Sequence, residues 1–241
     1  MLAGGKGVRM KSDIPKVLHP LCGKSLIEHV VDSLNLAGID DILVVVGYRG
    51  DEVIDRLGSR VNYAWQYEQL GTGHAVMQAE DYFKNYDGDI IVASGDVPLI
   101  KPETFKNLIA LADEKTGAAV LTMIQDNPTG YGRIVKYNEK FVRIVEEKDA
   151  DDEVRKIKEV NSGTYIFKSK FLFEGLKRTN TDNAQGEYYL PDVLNYILGV
   201  GLNVETIRID SMEGSGINTK EELISLEQYI AMYIAMKEGL N

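Results

Sequence analysis

The sequence predicts an α/β protein built on a mixed, mostly parallel sheet, with helices on both faces and an inserted β lobe. Three observations carry this: short β-branched runs, helical stripes with identifiable starts between them, and one stretch that alternates with period two. Ser25 followed by Glu28 forms a capping box. Leu26, Ile27, Val30, Val31 and Leu34 then make one apolar helical stripe that ends at Gly38. Ile42 to Val46 is a continuous apolar run, as in a parallel strand buried on both faces. A polar loop, Gln66 to Gly73, precedes a helix holding Ala75, Val76 and Ala79. Ile90 to Ala93 and Ala118 to Met123 read as further buried strands. Between these two, Pro102 suits the first turn of a helix carrying Phe105, Leu108, Ile109 and Ala112. Arg133 to Tyr137 and Phe141 to Val145 alternate around Asn138-Glu139, which predicts an antiparallel hairpin. The charged run Asp149 to Glu159 reads as an exposed loop or frayed helix. Thr219 and Glu222 repeat the capping box before a last helix with Leu223, Leu226, Ile230 and Tyr233, flanked by Tyr229, Met232 and Met236.

The length of 241 residues supports a single core, and 44% hydrophobic residues argue against a disordered chain. No strong repeat or Pro/Ser-rich linker divides it, so one domain with an inserted lobe is expected. The first eleven residues lack the apolar stretch of a signal peptide. No apolar run approaches the roughly 20 residues of a membrane-spanning helix. A cytoplasmic protein without membrane insertion is therefore expected. The one cysteine, Cys22, excludes an internal disulfide framework and is expected to pack as a small apolar residue. A net charge of −10 disfavours a nucleic-acid partner. Yet Lys6, Arg9, Lys11, Lys16 and Lys24 face only Asp13 within residues 1–24. This basic segment on an acidic protein suits either a small-anion site or a solvated loop.

Three segments hold candidate chemistry. In Gly4-Gly5-Lys6-Gly7-Val8-Arg9-Met10, glycines free backbone N–H groups to face an anion, and Arg9 and Lys16 add charge; a plain turn is the other reading. The segment is neither a P-loop nor a dinucleotide fingerprint. Leu18 stands where the P-loop ending in Gly23-Lys24-Ser25 needs its first glycine, and Met10 where the fingerprint needs its third. Asp96 follows a strand end and suits Mg²⁺ or a turn cap. Gln66 and Gln69 offer amides able to read a base edge, or simply cap a helix. His19, His29 and His74 show no metal-ligand spacing, and His29 is expected to be structural.

Taken together and in order, these segments carry a resemblance. Leu2 to Met10 with Pro15-Lys16-Val17-Leu18, then His19-Pro20-Leu21-x-Gly23-Lys24, Glu68 to Ala75, and Pro128 to Ile134 are similar to sugar-nucleotide pyrophosphorylases. Within these they resemble the N-acetylglucosamine-1-phosphate uridyltransferases, which form the N-terminal half of bifunctional bacterial enzymes. The resemblance implies a Rossmann-like, three-layer α/β/α fold over residues 1–218. Residues 219–241 would form a helical arm toward an acetyltransferase domain, of which the sequence holds no hexapeptide repeats.

The implied reaction is uridylyl transfer from UTP to N-acetylglucosamine-1-phosphate with Mg²⁺, giving UDP-N-acetylglucosamine for cell-envelope synthesis, and pyrophosphate. The implied partners are these two small molecules, and a homo-oligomer is compatible with them. By the same resemblance Arg9 and Lys16 are catalytic, and Gly5, Lys6 and Gly7 line the triphosphate. Leu2, Ala3, Gly4, Gln66, Gln69, Gly71 and Thr72 would hold the uridine. Gly132, Glu146 and Asn161 would hold the sugar, and Asp96 and Asn218 the metal. Three features depart from the family pattern: only Met1 precedes Leu2, where an apolar strand is usual; Gly4 and Ser94 stand where small or aromatic residues vary; and no hexapeptide-repeat segment follows residue 220. The alternatives are a nucleotidylyltransferase for another sugar or base, and a non-catalytic nucleotide-sugar module.

Overall fold

A computed structural model describes residues 1–238, with side chains described through Met232. The expected places of Tyr233 and Met236 on the last helix lie outside those side chains.

The chain begins with β1 (Leu2–Ala3), and a two-strand ribbon, β2 (Pro20–Leu21) and β3 (Lys24–Ser25), leads into α1 (Leu26–Leu36). The expected capping box closes α1, with Glu28 Oε2 accepting from Ser25 N at 2.8 Å. Next come β4 (Leu43–Val46), α2 (Gly50–Leu57), β5 (Asn62–Trp65), α3 (Thr72–Met77), α4 (Glu80–Phe83), β6 (Asp89–Val92) and α5 (Pro102–Ile109). Two helices stop short of the expected stripe: Ala79 caps α4 rather than ending α3, and Ala112 lies beyond α5. After β7 (Thr116–Ile124), the predicted hairpin is β8 (Arg133–Tyr137) and β9 (Lys140–Val145). Its turn residues Asn138 and Glu139 both take positive φ, as a tight hairpin turn requires. The charged run holds a single turn, α6 (Asp152–Arg155), capped by the Asp151 carboxylate. The rest is β10 (Glu159–Lys168), α7 (Ser169–Leu176), α8 (Asp192–Gly199), β11 (Asn203–Arg208), α9 (Ser211–Gly214) and α10 (Lys220–Glu238).

Two sheets are joined by a parallel bridge between Leu2 and Ser94, giving the strand order β5-β4-β1-β6-β10-β7-β11. In this row β10 alone runs antiparallel to its neighbours. Short as it is, β1 is pinned on both sides: Leu2 N donates to Ala93 O and Val45 N to Met1 O, each at 2.8 Å. These bonds anchor the start of the glycine loop.

Alternation along the strands sends side chains to two apolar layers. Ala119, Leu121 and Ile166 point to the layer containing Val30, Leu34 and Val53 of α1 and α2 and Phe105 of α5. Ala118, Val120, Tyr165 and Phe167 point to the opposite layer with Val76 of α3, Leu172 of α7 and Val193 of α8. The predicted three-layer α/β/α architecture is thus realised. A third, smaller cluster joins Met10, Leu21 and Leu26 to Ile217, Leu223 and Leu226, which ties the start of α10 to the basic N-terminal loop. Cys22 does not pack inside: it is exposed at the β2–β3 turn, with φ of 47°. His29 is structural as expected, its Nε2 2.8 Å from Leu21 O.

Candidate active site

Strands β1, β4, β5 and β6 are mutually parallel, so their carboxyl ends share one edge of the sheet. The chain passes from β1 to β4 and β5 on one side, then returns to β6 on the other. A crevice opens where the direction of winding reverses. A cavity of about 300 Å³ lies there, lined among others by Gly4, Lys16, Gln66, Thr72, Asp96 and Glu187. A larger apolar cavity of about 550 Å³ lies at the other end of β1, between β4 and β6, and of the candidate site residues only Leu2 borders it.

The charged part of the site is assembled from three remote segments. Lys16 Nζ contacts Asp96 Oδ2 and also reaches Asn218 Oδ1 at 3.1 Å. Arg9 bonds the same Asn218 oxygen at 2.9 Å. The backbone reinforces this meeting, since Ile217 N donates to Asp96 O at 2.9 Å. Gly7 permits it as well: at φ of 58° a Cβ there would fall 2.6 Å from Lys16 Cβ. Lys16 and Asp96 are 19% and 14% exposed, reachable from solvent yet partly shielded. Among the described residues no three His, Cys, Asp or Glu side chains group to hold a metal; the Glu222 carboxylate accepts from Asn218 N at 2.6 Å.

The opposite wall presents amides. Gln66 is buried directly after β5, and its Nε2 donates to Gly71 O at 3.1 Å. Gln69 is exposed and donates to Gln66 O at 3.1 Å. The Gly71 turn needs a glycine, because its φ is 110° and a Cβ would meet Tyr188 O at 2.6 Å. Thr72 borders the cavity while its hydroxyl accepts from Leu190 N at 3.2 Å.

The predicted sugar residues form a neighbouring group. Asn161 N donates to Gly132 O at 2.9 Å, and a Cβ at Gly132 would come within 3.1 Å of Glu146 Oε1. A register shift in β10 between Asn161 and Tyr165 re-aims Asn161 here, its Oδ1 accepting from Gly163 N at 2.9 Å. Burial pushes the Glu146 carboxyl up to about 7; Asp149, Asp192 and Glu187 add to the shift and Arg133 opposes it.

Lys6 and Gly5 are exposed, and among the described residues no side-chain partner holds Lys6 in the way Asn218 holds Arg9. Sequence reasoning missed Glu187, which lines the cavity, and Tyr131, a mostly buried phenol raised above its usual range by that burial and influenced by Asp96, Glu222 and Arg9. Tyr131 lies within the Pro128 to Ile134 motif, a signal that was present; Glu187 carries none.

The description of the nucleotidyl transferase family matches residues 1–211. The chain belongs to the nucleotidyl transferase family. Among curated relatives, bifunctional protein GlmU of Oceanobacillus iheyensis is 47% identical over 245 residues, covering 100% of this chain and 52% of that protein. Bifunctional protein GlmU of Clostridium botulinum is 42% identical over 243 residues, covering 100% and 53%. The chain spans about half the length of the curated relatives it matches. A crystal structure of a putative glucose-1-phosphate thymidylyltransferase from Bacillus anthracis is similar in fold, with TM-score 0.71 and 25% identity, covering 95% of this chain and 92% of that one. In this nucleotidyl transferase the crevice at the sheet's carboxyl edge is the candidate active site.

Proposed function

We propose that this chain transfers a uridylyl group from UTP to N-acetylglucosamine-1-phosphate, producing UDP-N-acetylglucosamine and pyrophosphate. The observation that carries the proposal is the meeting of Lys16, Arg9, Asp96 and Asn218 beside a cavity walled by Gln66. The motif resemblance and the curated relatives support the choice of substrates.

A phosphate oxygen of the sugar phosphate attacks the α-phosphorus of UTP. The new P–O bond forms as the bond to the β-phosphate breaks, and pyrophosphate leaves with its electron pair. The nucleophile is already anionic, so no general base is needed. The obstacle is bringing two polyanions together, so positioning and charge neutralisation carry the rate. Lys16 and Arg9 supply fixed positive charge to the triphosphate. Gln66 Oε1 borders Gly4 and accepts from the N3–H of uracil. Gly132, Glu146 and Asn161 hold the sugar.

Asp96 and Asn218 fit a divalent cation, because their oxygens already converge on one positive charge, the Lys16 ammonium. The Asp96 carboxylate with the Asn218 amide oxygen would suit Mg²⁺, whose remaining ligands would come from water and phosphates. Such an ion would supply charge neutralisation to the phosphates, while Asp96 and Asn218 would hold it. The proposed nucleotidyl transferase unit is residues 1–218, followed by an arm that begins at 219; residues 239–241 of that expected arm lie outside the described residues. Among the described residues no helix is long and apolar enough to cross a membrane. The reading places the enzyme in the cytoplasm, where nucleoside triphosphates are made.

A pyrophosphate-release panel tests this with four nucleoside triphosphates and dTTP, against N-acetylglucosamine-1-phosphate and glucose-1-phosphate, with and without Mg²⁺. Selective, Mg²⁺-dependent turnover of UTP with N-acetylglucosamine-1-phosphate is expected. Preference for dTTP with glucose-1-phosphate would replace the substrates; no release from any pair would remove the catalytic reading.

A further inference from the structure

Gln66 is the side chain best placed to read a base, and which end of its amide faces the cavity decides what it accepts. Gly71 O can only accept a hydrogen bond, so the atom 3.1 Å from it is the amide nitrogen. The second hydrogen of that nitrogen is directed at His74 Nδ1, 3.2 Å away. Both amide hydrogens are thereby used inside the protein. Gln66 Oε1 lies over Gly4, where a Cβ would approach it to 2.9 Å. Among the described residues no protein donor reaches this oxygen.

The His74 ring is itself held. Its plane lies against Tyr188, with centroids 6.3 Å apart. Gln78 Nε2 donates to the His74 carbonyl at 2.9 Å and packs 3.3 Å from ring Nε2. Gln66 Nε2 and Gln78 Nε2 each face one ring nitrogen, and a neutral imidazole accepts at one only; we assign the acceptor to Nδ1, the shorter contact, which puts the ring proton on Nε2 and leaves Gln78 bonded to the carbonyl alone.

We propose that His74 is a specificity-determining, positioning residue: its Nδ1 locks the Gln66 amide so that only an acceptor faces the nucleobase. This rests on the nucleotide site proposed above. An isolated acceptor matches the N3–H of uracil and repels the N3 lone pair of cytosine. Gly71 O and His74 Nδ1 oppose the amide flip together. Without His74 one of those two bonds is gone, and the flipped amide can offer its hydrogens to cytosine.

The test is the ratio of kcat/KM for UTP to that for CTP, with N-acetylglucosamine-1-phosphate, in wild type, His74→Leu, His74→Phe and His74→Asn. The ratio is expected to fall about fivefold to tenfold in the Leu and Phe variants, the worth of one hydrogen bond. Asn, whose Oδ1 occupies about the place of imidazole Nδ1, is expected to keep it within twofold of wild type. A purely structural role lowers both nucleotides equally. An unchanged ratio in a folded Leu or Phe variant overturns the proposal. A wild type that prefers dTTP defeats the uridine reading alone, and the His74 test then runs as dTTP against dCTP. If turnover is absent, calorimetric binding of the same nucleotide pair gives the ratio.

Discussion

At Lys16 one ammonium is shared between the carboxylate of Asp96 and the amide oxygen of Asn218. In the proposed reaction these oxygens would hold the divalent cation, and Lys16, which competes for them here, would turn to the triphosphate. Lys16→Met is therefore expected to bind Mn²⁺ at least about fivefold more tightly than wild type without nucleotide, by paramagnetic titration, through loss of its competitor. The same variant loses about 10²–10³ in turnover, as other electrostatic stabilisers do. Equal Mn²⁺ affinity in the two proteins would contradict shared ligands.

Glu146 gives the second residue-scale expectation. Its folded value near 7 lies above its ordinary 4.5. Below pH 4.5 both folded and unfolded states hold the proton. As pH rises toward 7, the unfolded chain releases it while the folded protein keeps it, so stability is lost across this window and then levels off. Glu146→Gln removes that cost, on the order of 3 kcal/mol. Its melting temperature is expected to gain on wild type between pH 5 and pH 8; a pH-independent difference would count against the buried, raised carboxyl.

The elements with local causes were the ones legible in the sequence. Both capping boxes form as read: Ser25 with Glu28, and Thr219 Oγ1 accepting from Glu222 N at 3.1 Å. The β8–β9 hairpin also formed where period-two alternation met Asn138-Glu139. There Glu139 holds φ of 62°, a conformation glycine adopts without steric cost. Glu139→Gly is expected to stabilise the protein by about 0.5–1 kcal/mol, raising the melting temperature by about 1–4 °C. An unchanged or lower melting temperature would mean that the turn is already relaxed. Helix ends were less legible. The stripe through Ala75, Val76 and Ala79 continues past Met77, but Gln78 turns its side chain back to the His74 carbonyl and the chain restarts at α4.

Over the whole molecule the site depends on contacts between remote segments, and this limits what the sequence reveals. The motifs named Lys16, Asp96 and Asn218 separately; their meeting is a product of winding β1 between β4 and β6 and of packing Ile217 and Leu223 on Met10 and Leu21. Glu187 and His74 could not be read as site residues, because Glu187 reaches the cavity only through the 187–190 segment lying on the Gly71 turn, and His74 acts through Gln66. Cys22 was misplaced because its turn position, not its apolar character, sets its exposure. The central claim is that fixed cations and a divalent ion on Asp96 let two phosphorylated substrates react. Its most direct test is the rate of pyrophosphate release from UTP and N-acetylglucosamine-1-phosphate in Mg²⁺, wild type beside Asp96→Ala of equal melting temperature. The account predicts a loss of about 10² or more; a variant rate within threefold of wild type would contradict it.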